Sequence, residues 1–93
     1  NAVILVNNNS SGNQSKRGFD QAYGGKQTEE GLRLWQFTDV NFAEIAENMG
    51  AFGIRVEKPT DLSRALGLAF ESQRPTIIDV VSDIDAMAPL AKI

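Results

Sequence analysis

Ala2-Val3-Ile4-Leu5-Val6 runs directly into Asn7-Asn8-Asn9-Ser10-Ser11-Gly12-Asn13. Five apolar residues, three of them β-branched, give way to seven small polar ones. An unbroken apolar run of this length, stopped by turn formers, predicts a strand buried on both faces. Such strands belong to parallel sheets, whose ligands sit beyond the carboxyl ends of the strands. The Asn-rich turn falls in that place. It offers amide oxygens and backbone N–H groups, which suit a hard cation and a phosphate.

The rest of the composition narrows the field. The chain has 93 residues, a net charge of −3, no cysteine and no histidine. That length suits one small domain, near the lower end of what buries a self-sufficient core. Without Cys there is no disulfide framework or thiolate metal site, and without His no Ser–His or Cys–His pairing within the chain. Mild acidity argues against a nucleic-acid partner, which would want clustered Lys and Arg. The longest apolar run is far short of the roughly 20 residues a membrane helix needs. No secretory or transit segment is visible, so no membrane partner and a cytoplasmic location are expected. The chain opens on Asn1 with a strand already under way, which suggests a piece of a longer protein.

Beyond the turn, residues 14–20 are polar and weakly patterned, with room for a short helical turn. Residues 22–36 fit no period and are expected to form a long loop, of the kind used as lids or binding loops. Order returns at Phe37. Asn41 can cap a helix, with Glu44 three residues on as in a capping box. Phe42, Ile45, Ala46 and Met49 make one apolar stripe, and Gly50 ends it as a left-handed cap. Phe52-Gly53-Ile54-Arg55-Val56-Glu57 reads as a short strand. Pro59 then opens a second helix, whose expected buried stripe is Leu62, Ala65, Leu66, Ala69 and Phe70. Gly67 lies inside that helix, a placement only a close packing contact would justify. Thr76-Ile77-Ile78-Asp79-Val80-Val81 is the last strand. Asp79, Asp83 and Asp85 read as solvated strand-end acids and not as a metal cluster. The domain is thus expected over residues 1–81, with an irregular tail over 82–93.

Strand, loop, helix, strand, helix, strand, joined by right-handed crossovers, gives a parallel sheet. The expected fold class is α/β: a partial three-layer sandwich of about three strands with helices on both faces. At least one sheet edge should lack a neighbour.

Val6-Asn7-Asn8-Asn9-Ser10-Ser11-Gly12 resembles the second half of the thiamin diphosphate-binding motif. In that family a Gly-Asp-Gly turn is followed, one helix and one strand later, by an Asn-Asn pair. The resemblance continues through the helix from Asn41 to Gly50, through Gly53-Ile54-Arg55-Val56-Glu57-Lys58-Pro59, and through Arg74-Pro75-Thr76-Ile77-Ile78-Asp79-Val80. Ordered over nearly the whole chain, these segments are similar to the C-terminal cofactor domain of acetolactate synthase-like and benzoylformate decarboxylase-like enzymes, lacking that domain's first strand and helix.

The resemblance implies thiamin diphosphate and Mg²⁺ as cofactors. It implies that Asn8 gives its side-chain oxygen to Mg²⁺ and Ser10 its backbone carbonyl. Asn7 would hold the turn, and Gly12 would let the backbone pass close to the cofactor. Implied too are a 2-keto acid substrate, carboligation or decarboxylation, and a parent homodimer or homotetramer with active sites between chains. The long loop resembles the segment that closes over such sites and excludes water. The chain has no Gly-Asp-Gly turn, and the family's activating Glu belongs to another domain of a partner chain. No catalytic residue is therefore assigned, and the piece alone is expected to be inactive, and marginal or self-associating. The contrasting reading is a non-catalytic small α/β binding or interaction module.

Overall fold

The computed structural model describes residues 2–26 and 28–86. Three strands form an all-parallel sheet in the order β1 (Val3–Asn8), β3 (Thr76–Val81), β2 (Phe52–Val56). Helices α1 (Asn13–Ala22), α2 (Glu29–Trp35) and α3 (Phe42–Asn48) lie between β1 and β2. A 3-10 turn, Pro59–Asp61, and α4 (Leu62–Ser72) lie between β2 and β3. The chain steps over the central position on its way to β2 and returns to fill it with β3. Two right-handed crossovers taken in opposite directions place their helices on opposite faces. The α/β sandwich is the expected fold class, with helices on both faces. The part of the tail at 87–93 lies outside the described residues.

Strand periodicity assigns each face. Ile54 and Val56 of β2 and Ile78 and Val80 of β3 point to α4, where they pack with Ala65, Ala69, Leu62 and Leu66. The opposite face carries Gly53, Arg55 and Asp79 and receives α3 through Ala43 and Ala46. Gly53 is required by that packing, because a Cβ there would collide with the Ala43 backbone. Asn41 caps α3 by accepting the Glu44 N–H at 3.1 Å, and Gly50, at φ 86°, ends the helical segment in the left-handed conformation.

Several expectations need correcting. β1 is not buried on both faces: Ile4 is 55% and Leu5 48% exposed. The strand buried on both sides is β3, because only the central strand has neighbours at both edges and helices above and below. Residues 22–36 are not one long loop. Thr28 accepts the Gly31 N–H at 3.0 Å and starts α2, a helix too short for its apolar period to register. In α3 the buried pair is Ala43 and Ala46, while Ile45 and Met49 face outward. Small residues are needed where the helix sits down on Gly53. Phe70 is likewise exposed and not part of the α4 stripe. Gly67 has nothing near its missing side chain, so the packing contact invoked for it is absent. Asp79 is fully buried and not a solvated strand-end acid.

These contacts separate the two strand and helix glycines. Gly67→Ala should stabilise the fold by about 1 kcal/mol, since only helix propensity changes. Gly53→Ala should destabilise it by about 3 kcal/mol, the upper range for overpacking against atoms that cannot yield. Urea denaturation of both variants reads the two signs directly.

The outer edge of β1 pairs with no strand among the described residues, and its apolar side chains are uncovered. Such an edge invites pairing between chains. Sedimentation velocity should show concentration-dependent association, and Leu5→Lys should shift it toward monomer. A wild-type chain that sediments as a monomer at all concentrations would contradict this.

Candidate functional site

The carboxyl end of β1 passes into a turn built from successive side-chain-to-backbone bonds. Asn8 Oδ1 accepts the Ser10 N–H at 3.2 Å, and Asn9 Oδ1 accepts the Ser11 N–H at 3.2 Å and the Ser11 hydroxyl at 3.1 Å. Asn residues are suited to this because a short amide mimics a backbone turn. Asn7 accepts the Ser82 hydroxyl and so ties the end of β1 to the chain leaving β3. Ser10 sits at φ 57°, in the left-handed region that costs a non-glycine residue about 1 kcal/mol or more. Strain at the centre of a polar turn, beyond the carboxyl edge of a parallel sheet, is a feature of functional turns.

Asn8 is the buried member of the set, at 7% exposure. Its Nδ2 donates to the Val40 carbonyl at 2.9 Å while its Oδ1 holds the Ser10 amide. Those two partners fix which end of the amide is oxygen. An amide oxygen accepts two bonds, so Oδ1 keeps one direction unused by Ser10. The Ser10 carbonyl accepts the Phe37 N–H at 2.8 Å, and it too retains a second lone pair.

The segment following α2 closes over this turn. Gly12 N–H donates to the Trp35 carbonyl at 2.6 Å, and Ser11 and Gln36 form an antiparallel bridge. Trp35 is buried, with the Lys16 ammonium 5.8 Å from its ring centroid. Between turn and segment lies a recess of ≈ 210 Å³, lined by Asn8, Asn9, Ser10, Phe37, Thr38 and Val40 among others. Drug-sized ligands occupy roughly 300–1,000 Å³, so this recess takes part of such a molecule and not the whole. Gly12 lies at φ −89°, and a Cβ there would meet only ordinary contacts at 3.7–3.8 Å. The fold itself thus does not demand glycine at this position. The first turn of α1 has no side-chain cap, which leaves its backbone N–H groups available to an anion.

Two cations near the site are held by acids. Lys16 Nζ donates to Asp20 Oδ2 at 2.8 Å, and this bond raises the Lys16 pKa, aided by the charges of Asp20 and Asp85 and opposed by burial. On the lysine side the pair persists below the ordinary lysine value and is lost as pH rises through the raised one. Asp39 raises Arg55 in the same manner, with Asp79 and Glu57 adding and burial opposing. Arg55 reaches Asp79 at 3.5 Å, below the segment that carries Val40. Sequence reasoning missed this pair. An Arg and an Asp on separate strands carry no local signal that they share a sheet face.

The four sequence-derived residues, Asn7, Asn8, Ser10 and Gly12, are brought together at one end of the sheet. No cluster of three or more acids suited to a metal occurs among the described residues. No helix among them is long and apolar enough to cross a membrane. An open parallel α/β sheet with a strained polar turn beyond a strand's carboxyl end is an α/β domain whose turn lies where ligands bind in such folds. The family described as "Thiamine pyrophosphate enzyme, C-terminal TPP binding domain" matches residues 1–80, and the chain belongs to it. No curated protein matches the chain.

The turn's conformation can be tested directly. Ser10→Gly should leave stability within about 0.5 kcal/mol, because relief of strain offsets the added freedom of the unfolded chain. Ser10→Val should lose at least about 1 kcal/mol, since a β-branched residue resists positive φ. Chemical denaturation of the pair separates a φ requirement from a side-chain requirement.

Proposed function

We propose that this chain contributes the Asn half of a Mg²⁺–thiamin diphosphate site in a cytoplasmic enzyme acting on 2-keto acids. The reaction class is acetolactate synthase-like carboligation or decarboxylation, in a homodimer or homotetramer. The supporting observation is Asn8: a buried amide at the carboxyl end of a parallel strand, oriented by Val40 and Ser10, with acceptor capacity left on Oδ1. A hard cation takes such oxygens. The Ser10 carbonyl is the second donor, and Asn7 holds the strand end through Ser82.

The donor set fits half of a Mg²⁺ site. Two neutral oxygens do not neutralise a divalent ion, so a carboxylate and the diphosphate belong to the complete site. Thiamin diphosphate, when bound, supplies the carbanion chemistry. The chain's residues orient it: Asn8 and Ser10 at the metal, the uncapped α1 N-terminus toward phosphate, and Gly12 by leaving room. The docked segment around Trp35 and Phe37 shields the turn from water on one side. Family membership weighs against the non-catalytic module.

The coding sequence before Asn1 is the first test. A Gly-Asp-Gly turn, then a helix leading into β1, supports the reading; a start codon immediately before Asn1 counts against it. In the polypeptide so defined, calorimetric titration should show Mg²⁺-dependent binding of thiamin diphosphate. Asn8→Ala should weaken it by at least roughly tenfold, the scale on which metal sites respond to lost partners. An unchanged Kd would sink the assignment of Asn8.

A further inference from the structure

We propose that Arg55 and Asp79 are positioning residues for Asn8, acting through the carbonyl of Val40. The two lie side by side on the α3 face of the sheet, in register with each other on β2 and β3. Asp79 has no exposure, and its Oδ2 accepts the Phe42 N–H at 2.9 Å while facing Arg55 Nη1 at 3.5 Å. Arg55 Nη1 donates to the Val40 carbonyl at 3.4 Å, and Nη2 donates to both oxygens of Asp39 at 3.1 and 3.2 Å. One ion pair thus grips the segment crossing the sheet at the Asp39 side chain, the Val40 carbonyl and the Phe42 N–H. The Val40 carbonyl is the acceptor that holds the Asn8 amide.

Stability alone does not account for this pair. Charged groups buried in a sheet gain little over apolar residues of similar volume, and Asp79 Oδ1 finds no hydrogen-bond donor among the described residues. Fixing the register of a segment is the best-attested use of such a pair. Here the fixed segment sets where an amide acceptor stands relative to β1. Moving Val40 would free Asn8 to rotate, and the oxygen offered to the recess would lose its direction.

What Asn8 binds rests on the function proposed above, but its positioning is measurable without any ligand. The readout is the Asn8 side-chain NH₂ pair in ¹⁵N-edited NMR of the chain, with Ile78 amide protection as the control for folding. In the wild type, the Asn8 protons should be well separated and slow to exchange. Arg55→Met, which keeps the aliphatic stem and removes every donor, should speed their exchange about tenfold or more, as expected for a lost hydrogen bond. Arg55→Lys should recover part of the effect, and Ile78 should stay protected throughout. Asp79→Asn, which keeps an acceptor for Phe42, should give an intermediate result and carries the test if Arg55→Met does not fold. Free exchange of Asn8 in the wild type, or unchanged exchange in a folded variant, would overturn the proposal. Titration with Mn²⁺ in the presence of thiamin diphosphate, in the polypeptide extended upstream to include the Gly-Asp-Gly turn, separates the two levels. Broadening of Asn8 in the wild type that weakens in Arg55→Met supports both. No broadening in the wild type tells against the metal site, while the exchange data decide the positioning.

Discussion

A carboxylate with no access to water must find its partners from within, and Asp79 in the central strand does so through Oδ2. Those partners are a backbone amide at the start of α3 and a guanidinium on the neighbouring strand. The negative charge beneath the first residue of α3 also complements the helix dipole. Asn41 caps the same turn from the other side through Glu44. Helix, crossing segment and sheet are thereby fixed against one another. Asn8 borrows that rigidity through the Val40 carbonyl.

Parallel topology explains why the fixed point lies where it does. All three strands end at the same edge, so any segment joining α2 to α3 has to cross near their carboxyl ends. The register sets Val6, Asp79 and Arg55 in one row across the sheet, two residues short of Asn8 and its partner Val81. Side chains in that row reach upward to the crossing segment, while Asn8 reaches the same segment from the edge strand. One backbone stretch can therefore receive both. An antiparallel arrangement would separate these groups to opposite ends of the sheet.

What was legible in the sequence follows from the range of each signal. Asn41, Gly50 and Pro59 act on neighbours within a few residues, and their roles are visible in the string. The Asn-rich turn is equally local, since its bonds span two residues. The Val-Ile-Leu-Val run of β1 looks like that of a central strand, and only the sheet order reveals that β3 holds the middle. α2 was missed because seven residues give too few turns for periodicity, although Thr28, Glu29 and Glu30 marked its start. In α3 the larger residues of the apolar set, Ile45 and Met49, drew attention from the Ala43–Ala46 pair. The alanines are inside because Gly53 allows the helix to approach closely, a fact written on another strand. Arg55, Asp79 and Val40 lie far apart in sequence, and nothing local joins them.

Division of labour within the proposed site follows from charge. The turn presents amide and carbonyl oxygens and no carboxylate, so it offers a divalent cation direction more than affinity. Strong binding to neutral oxygens alone would require many of them, and Asn8 and Ser10 provide two. Their value lies in being held: each oxygen already carries one bond from the fold, which leaves its remaining lone pair a defined orientation. An acidic residue at Asn8 would add charge but lose the Nδ2 donor, and with it the link to Val40. An amide is the side chain that can be anchored at one end and offer oxygen at the other.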